Sequence, residues 1–465
     1  MGRKLIVQIG RLDKGYTNPV KFKYNEKDFE VPLSSFALRE YYGEDNAKVF
    51  ILYPVSLLLN KALVEKEDYK AEDFLCKVKE VLDNSNRKED YFKSPENLFK
   101  DHPHSKKAEF AVMHSLGSYQ GFELKTNMPD LVLYIWSLLI YEYIKHGFDE
   151  LFVDIGSGLN FYISALLEAF RYFMEWESLY NLRERKVKGF IVYSDPILGS
   201  NKGQFNIYQY PVDFKGKFES PAGHSEIERG LVKKVIEDVL SKDREYKRKI
   251  AKYIDAFLIM FSAFYNAAPL ILFASEFPDV SEINSSLEGI LEEIFTKYKS
   301  DWKKSPDFQF KDFYKVIVML GFLKGLKEFL DIGNIKPCGY ATVDEIVRFA
   351  ESIGSIGLFV QEGLIKAESY NNFKPKNIVD SIDEGWKPLK DLLQRYKFTE
   401  EDESEGSIDS RMERNFFAHA GFARDLVEVK KDTLNGGKIL IRYNKEAIER
   451  VKELLCRRIK GAGNE

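Results

Sequence analysis

The chain has 465 residues, 69 of them Lys or Arg and 73 Asp or Glu, for a formal charge of −4, and 44% are apolar. At roughly 100 to 200 residues per domain the length predicts two or three domains, each with enough apolar sequence to bury a core, which excludes general disorder. The near balance of charge excludes a surface that is one continuous glove for nucleic acid, so any polyanion site has to be local.

The start, Met1-Gly2-Arg3-Lys4 and the short run Leu5 to Ile9, lacks the apolar length and cleavage site of a signal peptide. Ile6 stands where a myristoylation signal needs Ser or Thr. Strands are predicted at Lys4 to Ile9, Val49 to Tyr53, Glu109 to His114, Glu150 to Ile155 and Gly189 to Tyr193, with helices at Asp130 to His146 and Tyr162 to Arg183. Such alternation is the pattern of an α/β, doubly wound, Rossmann-like sheet. Ligands of these sheets sit beyond the carboxyl ends of the strands, here Gly10 to Asn18, Ser115 to Gly121, Gly156 to Asn160 and Ser194 to Gly199.

After about residue 212 the pattern becomes mainly helical, which divides the chain into 1–212 and 213–465, with Lys215 to Gly223 as a linker. Helices are expected over Glu226 to Phe264, Ile283 to Lys299, Asp312 to Leu330, Val343 to Ser352, Ile356 to Ser369 and Ile378 to Tyr396. Within this part Ala256 to Ser275 is uncharged for twenty residues, but Asn266 and Pro269 favour a buried, broken helix over a membrane span. The acidic stretch Thr399 to Asp409 reads as a solvated loop, Ser410-Arg411-Met412-Glu413 as a capping box that starts a helix, and Asn435-Gly436-Gly437 as a small β-hairpin. A basic helix, Lys445 to Lys460, closes the chain.

Cys76, Cys338 and Cys456 form no CxxC pair, so neither a disulfide framework nor a cysteine-built zinc site is expected, and a reducing cytoplasm fits. The pair His102 and His104 has ligand-type side chains, yet in a lysine-flanked proline loop it reads as solvated; no metal is expected.

The helix started at Ser410 carries Arg414, Asn415 and His419. On one helix Asn415 and His419 form an i, i+4 pair, and a site in its first turns would have the dipole favour an anion. A guanidinium for phosphate oxygens, an amide and an imidazole titrating near about pH 6.5 make a kit for phosphodiester cleavage without a metal. One copy supplies only one such imidazole, so two copies across a twofold axis would complete the site. The competing reading pairs Arg414 with the acidic stretch and buries His419 beside Phe416 and Phe417.

This arrangement resembles the HEPN ribonucleases, whose signature is an Arg, four to six residues and then a His, often with a polar residue beside the Arg. The segment Asp154-Ile155-Gly156-Ser157-Gly158-Leu159-Asn160 resembles the Asp-x-Thr-x-Gly-x-Asn segment of CARF domains, with Gly156 in place of the usual Thr. The combination is similar to the CARF–HEPN ancillary ribonucleases of type III CRISPR systems. That resemblance implies a homodimer, with higher oligomers open to it, which cleaves single-stranded RNA when a cyclic oligoadenylate, most simply cyclic tetra-adenylate, binds the sheet domains. No other cofactor is implied. The ligand contacts expected are Gly156, Ser157, Gly158 and Asn160, with Gly10, Arg11 and Ser115 behind them.

Two rivals remain. Val153 to Gly158 also looks like the first motif of a Rossmann methyltransferase, although Asn160 replaces the third glycine and the next strand-end carboxylate, Asp195, lies far downstream. The other is a nucleic-acid-binding regulator with no activity.

Overall fold

The computed structural model describes residues 2–12, 18–59, 72–184, 186–196, 203–212, 244–373, 379–380, 382–394, 408–433 and 436–461. The chain gathers into two compact units, Met1–Glu177 with Arg185–Lys215 and Glu288–Tyr314, and Ser178–Glu184 with Gly216–Leu287 and Lys315–Glu465.

The first unit is built on an eight-stranded sheet. Its strands are β1 (Lys4–Ile9), β2 (Val20–Tyr24), β3 (Lys27–Val31), β4 (Ala47–Pro54), β5 (Glu109–Met113), β8 (Glu150–Asp154), β9 (Lys188–Ser194) and β10 (Phe205–Val212); a hairpin, β6 (Gly117–Tyr119) with β7 (Phe122–Leu124), stands apart. The order is β3-β2-β10-β9-β8-β1-β4-β5. Strands β9, β8, β1, β4 and β5 run parallel, and β10 turns back against β9. Every residue of β1 is buried, as expected for a central parallel strand covered on both faces. The chain builds outward from β1 through β4 to β5, then returns to β1's other side with β8, so a topological switch point lies between β1 and β8.

The helices Met128–His146 and Asn160–Tyr180 belong to this layer. Asn127 caps the first by accepting the Asp130 amide at 2.8 Å. The second lies close to β9, because Gly189 leaves room for Phe170, whose ring atom would stand 2.7 Å from an added Cβ. Asp130, wholly buried, takes the Ser305 hydroxyl at 2.5 Å and the Asp307 and Phe308 amides at 2.9 Å each, which clasps that loop to the unit.

The five expected strands are all present. Three more, β2, β3 and β10, escaped the sequence reading, as did the helix Ser34–Tyr42; β3 alternates charged with apolar residues and lies at the sheet edge. The His102–His104 loop differs more sharply from expectation, since it is not solvated: the two side chains are 0% and 2% exposed, edge-on to each other at 4.4 Å. Phe36 and Phe74 flank them, so the lysines around this turn face water while the imidazoles fill the core.

In the second unit Arg244–Tyr265 and Leu270–Ala274 are separate helices, broken where Ala267 takes a left-handed φ of 56° and Pro269 caps the second. Leu270 to Phe273 are buried, and no helix of the described residues is long and apolar enough to cross a membrane. The helices Val280–Tyr298 and Phe310–Ile332 are divided between the two units, since Glu288–Tyr314 belongs to the first; Val343–Ser355, started by a reciprocal Thr342 and Glu345 capping box, and Phe359–Phe373 follow in the second. A small sheet ordered β11-β14-β13-β12 comprises β11 (Ala341–Thr342), β12 (Lys387–Pro388), β13 (Val427–Asp432) and β14 (Lys438–Tyr443), and contains the expected hairpin.

The single helix expected over Ile378 to Tyr396 is interrupted: Lys387 and Pro388 pair with β13 before the short helix Leu389–Gln394. The proposed linker, the Glu226 to Asp243 part of the expected helix, and most of the acidic stretch (399–407) lie outside the described residues.

Three buried imidazoles make the first unit sensitive to acid. Burial holds His102 well below the usual 6.5, and pushes His104 down to about 3 and His114 to about 4. Below pH 6.5 the unfolded chain binds more protons than the native one, so their contribution is fully present above pH 6.5 and lost as pH falls towards the folded values. Asp154 acts oppositely: burial raises it to about 6, and its contribution fades as pH rises through that value. At pH 5 each neutral imidazole costs about 2 kcal/mol relative to pH 7, so the histidines dominate. Neither ring nitrogen of His104 has a hydrogen-bond partner among the described residues. The melting temperature should therefore fall from pH 7 to pH 5, and His104→Phe should make that fall shallower; identical slopes would contradict the assignment.

Candidate functional site

Two places carry chemistry, one in each unit. At the switch point of the first, β8 ends in Asp154, whose buried carboxylate accepts the Ser34 hydroxyl at 2.5 Å and the Gly156 amide at 2.9 Å. These bonds pull its pKa down, but desolvation prevails and leaves it raised. Asp154 thereby bends the chain into the loop that leads to Asn160, the first residue of its helix.

Arg11, two residues beyond β1, spans the crevice and donates Nη1 to the Ser157 carbonyl at 2.8 Å. Gly158 has φ of 74°, and an added Cβ would stand 3.2 Å from that guanidinium. Gly10 has a packing reason instead, since a Cβ there would meet the Tyr53 ring at 2.3 Å. The structure thus brings together Gly10, Arg11, Gly156, Ser157, Gly158 and Asn160. Gly158 and Asn160 are exposed, whereas the Ser157 side chain is fully buried.

Ser115 follows β5, two strands beyond β1, and is itself 1% exposed, its hydroxyl accepting the Ser56 amide at 3.0 Å. Hydrogen bonds from Ser115 and Ser56 reach Tyr162, whose phenol burial pushes up. Over these groups opens a cleft of about 480 Å³, lined by Pro54 at the end of β4, Ser56 and Leu57 after it, Tyr119 and Gln120 of the hairpin, and Leu159 and Tyr162 beside the β8 loop. Sequence reasoning missed Ser56 and Tyr162. The rival carboxylate, Asp195, is occupied by Asn206, which donates its amide and Nδ2 at 3.1 Å each.

In the second unit the Arg–Asn–His segment lies on the helix Ile408–Ala418. That helix begins before Ser410, so Ser410 does not start it, and His419 stands just past its end. The helix dipole therefore acts against the expectation: this end favours a cation, and attraction for a phosphate has to come from the Arg414 guanidinium.

Fully buried Phe416 anchors the helix, its ring 6.5 Å from Tyr443. Ala420 and Gly421, with φ of 50° and 75°, then reverse the chain. The Gly421 amide reaches back to the Phe416 carbonyl at 2.9 Å, and its own carbonyl accepts the Tyr443 hydroxyl at 3.1 Å.

Arg414 and Asn415 are exposed, and the His419 side chain is 45% exposed, which excludes a core histidine. The His419 amide closes on the Asn415 carbonyl at 3.1 Å. Its Nδ1 stands 3.2 Å from Oε2 of Glu368, on the helix Phe359–Phe373, and the same oxygen accepts Nδ2 of Asn372 at 3.0 Å. A carboxylate only accepts, so Nδ1 carries the proton and Nε2 of the neutral ring is left as the base. Glu368 is a third residue that sequence reasoning missed; its partner lies fifty-one residues away in the chain. Among the described residues no three His, Cys, Asp or Glu side chains are arranged to hold a metal ion.

A parallel sheet with a loop-built crevice at its switch point, in a chain that also presents an exposed Arg and a carboxylate-held His on a helical unit, defines a ligand-sensing module joined to a ribonuclease-type module. The family model for the CARF domain of the CRISPR system endoribonuclease Csx1 matches residues 4–196, and the model for the HEPN domain of Csx1 matches residues 358–446. No curated protein matches. The two matches together take in more than half the chain, which belongs to the CARF–HEPN ancillary ribonucleases of CRISPR systems.

The left-handed turn that places His419 has no room for a side chain: a Cβ on Gly421 would stand 2.9 Å from the Tyr443 oxygen and 3.0 Å from Ala268 Cβ. Gly421→Ala should cost about 1 to 3 kcal/mol, seen as a lowered melting temperature. An unchanged midpoint would show that the turn is not constrained in this way.

Proposed function

We propose that the chain is a metal-independent endoribonuclease that cleaves single-stranded RNA by attack of a 2′-hydroxyl on the adjacent phosphate, and that a cyclic oligoadenylate bound to the sheet domain switches it on. The observation that carries the cleavage reading is the His419 ring, held at Nδ1 by Glu368 and half exposed, on the turn that ends the Arg414 helix. His419 Nε2 takes the proton of the 2′-hydroxyl as that oxygen bonds to phosphorus. The bond from phosphorus to the 5′-oxygen breaks, and the leaving oxygen takes a proton from the imidazolium of a second copy. The products are a 2′,3′-cyclic phosphate and a free 5′-hydroxyl. Arg414 stabilises the charge that builds on the phosphoryl oxygens. Asn415 orients the scissile group.

The sensing reading rests on the switch-point crevice. Arg11 and the amino end of the helix at Asn160 favour phosphates, and the adjoining cleft has Tyr119 and Tyr162 for bases. Gly156, Gly158 and Asn160 are the nearest contacts; Ser157 and Gly10 contribute through backbone, and Ser115 by holding Ser56 and Tyr162. In a homodimer two such crevices would face one ring. Cyclic tetra-adenylate suits them, because its fourfold symmetry contains the dimer's twofold. The division of labour falls near residue 212, with sensing before it and cleavage after it.

With single-stranded RNA and cyclic tetra-adenylate, His419→Ala and Arg414→Ala should each lower cleavage by on the order of 10³-fold. Glu368→Gln should lower it by about 10 to 100-fold, as for other groups that orient a working histidine. EDTA should change nothing. Wild-type rates from either alanine variant would remove that residue from the mechanism, and loss of activity in EDTA would point to a metal nuclease.

A further inference from the structure

The small sheet of the second unit has two unlike faces. Val427, Val429, Ile441 and Tyr443 point inward and are buried. Side chains alternate along a strand, so the cross-strand pairs Glu428 with Arg442 and Lys430 with Leu440 lie on the other face. Lys387 pairs with Val429 and Ala341 with Ile441, which puts their neighbours Trp386 and Tyr340 on that outer face too. There the Arg442 guanidinium stands 4.1 Å from the centre of the Trp386 ring and the Lys430 ammonium 5.2 Å. The Tyr340 ring, 40% exposed, lies 6.4 Å from the indole. Arg442 is fixed, because its Nε and Nη2 reach Oε2 of Glu428 at 2.8 and 2.7 Å. Lys430 makes no ion pair among the described residues; its contact is the indole.

We infer that this face is a stacking platform for single-stranded RNA, holding nucleotides that flank the scissile phosphate. The inference rests on the ribonuclease reading above. Sheets that bind single-stranded RNA present rings on one open face, and a ring accepts any base because every base has a π-face. A base that takes the place of Lys430 on the indole frees that ammonium for the adjoining phosphate, while Arg442, held by Glu428, stays against the ring. Tyr340 offers a second ring for a neighbouring base. Charge selects this occupant over an apolar one. Arg442 and Glu428 cancel, Asp432 stands opposite Lys438, and the charge of Lys430 is left to meet a phosphate. The platform is also tied to the cleavage site. Strand β14, which carries Arg442, ends at Tyr443, whose hydroxyl holds the Gly421 carbonyl in the turn after His419. The groups that would grip the RNA and the turn that carries the imidazole therefore share one strand.

The test uses the full-length chain and a short, labelled single-stranded RNA whose 2′-hydroxyls are all methylated, so that it binds without being cut. Trp136, Trp176 and Trp302 are 0%, 0% and 2% exposed, which leaves Trp386 to report contact with a ligand. The oligonucleotide should quench tryptophan emission saturably. Trp386→Ala should weaken its binding at least about tenfold, and Trp386→Phe should restore most of the affinity, because a smaller ring still stacks. Lys430→Ala should make the salt dependence of log Kd shallower by about 0.7, one phosphate contact on a single strand. Unchanged emission, with equal affinity for the wild type and Trp386→Ala, would overturn the platform; if unmodified RNA is still cleaved, the ribonuclease reading stands without it. Equal quenching by inorganic polyphosphate would also overturn it, since the face would then attract charge and not bases. A chain that neither binds the methylated strand nor cuts the unmodified one would overturn both.

Discussion

The interaction on which the proposed cleavage site depends is the contact between Glu368 and His419 at 3.2 Å. An imidazole on a turn, nearly half exposed, would otherwise be free to rotate, and a base has to present one chosen nitrogen. The carboxylate removes that freedom only if two helices hold their places independently. Phe416 plants one of them against Tyr443, while Ile365, Ser369 and Phe373 plant the other. Glu368 is 15% exposed at its side chain, so desolvation works against its charge, and Asn372 donates to the same oxygen to offset that cost. The Ala420–Gly421 reversal then decides where the imidazole stands relative to Arg414.

The sensing half is organised by the same kind of device, a buried carboxylate that shapes a loop. Asp154 spends its hydrogen bonds on Ser34 and Gly156, so its role is to bend the chain, and the groups left at the surface are backbone, Asn160 and the Arg11 guanidinium. Loop and arginine meet because β1 and β8 are neighbours at the switch point. A ligand that binds there, as proposed, would act on cleavage only by binding one arrangement of the protein better than another, which is a coupling free energy and not a contact.

Much of this was legible in the sequence, and the exceptions have physical causes. Central parallel strands such as β1 are continuous apolar runs between turn residues, so their positions could be read directly. Strands β2 and β3 pair near the sheet edge, carry lysines and acids on their solvent side, and lose that signal. The interruption at Lys387–Pro388 is a tertiary event, since those residues are drawn into pairing with β13. Burial of His102 and His104 was concealed by neighbouring lysines, because adjacent residues on a tight turn can face opposite ways. The placement of Arg414 and Asn415 on one helix, with His419 at its end, was readable from their spacing. Glu368 was not, because nothing local distinguishes it from the many surface glutamates, and only folding brings it to the imidazole.

The near neutrality of the chain no longer argues against a nucleic-acid enzyme, because the proposed RNA site needs only a few cations at one edge. The central claim joins the two halves, and initial rates of cleavage of labelled single-stranded RNA, with and without cyclic tetra-adenylate, test it directly. The account predicts a rise of at least about tenfold, a coupling of roughly 1.4 kcal/mol, that Arg11→Ala weakens. Equal rates with and without the ring, from protein that cleaves through His419, would contradict it.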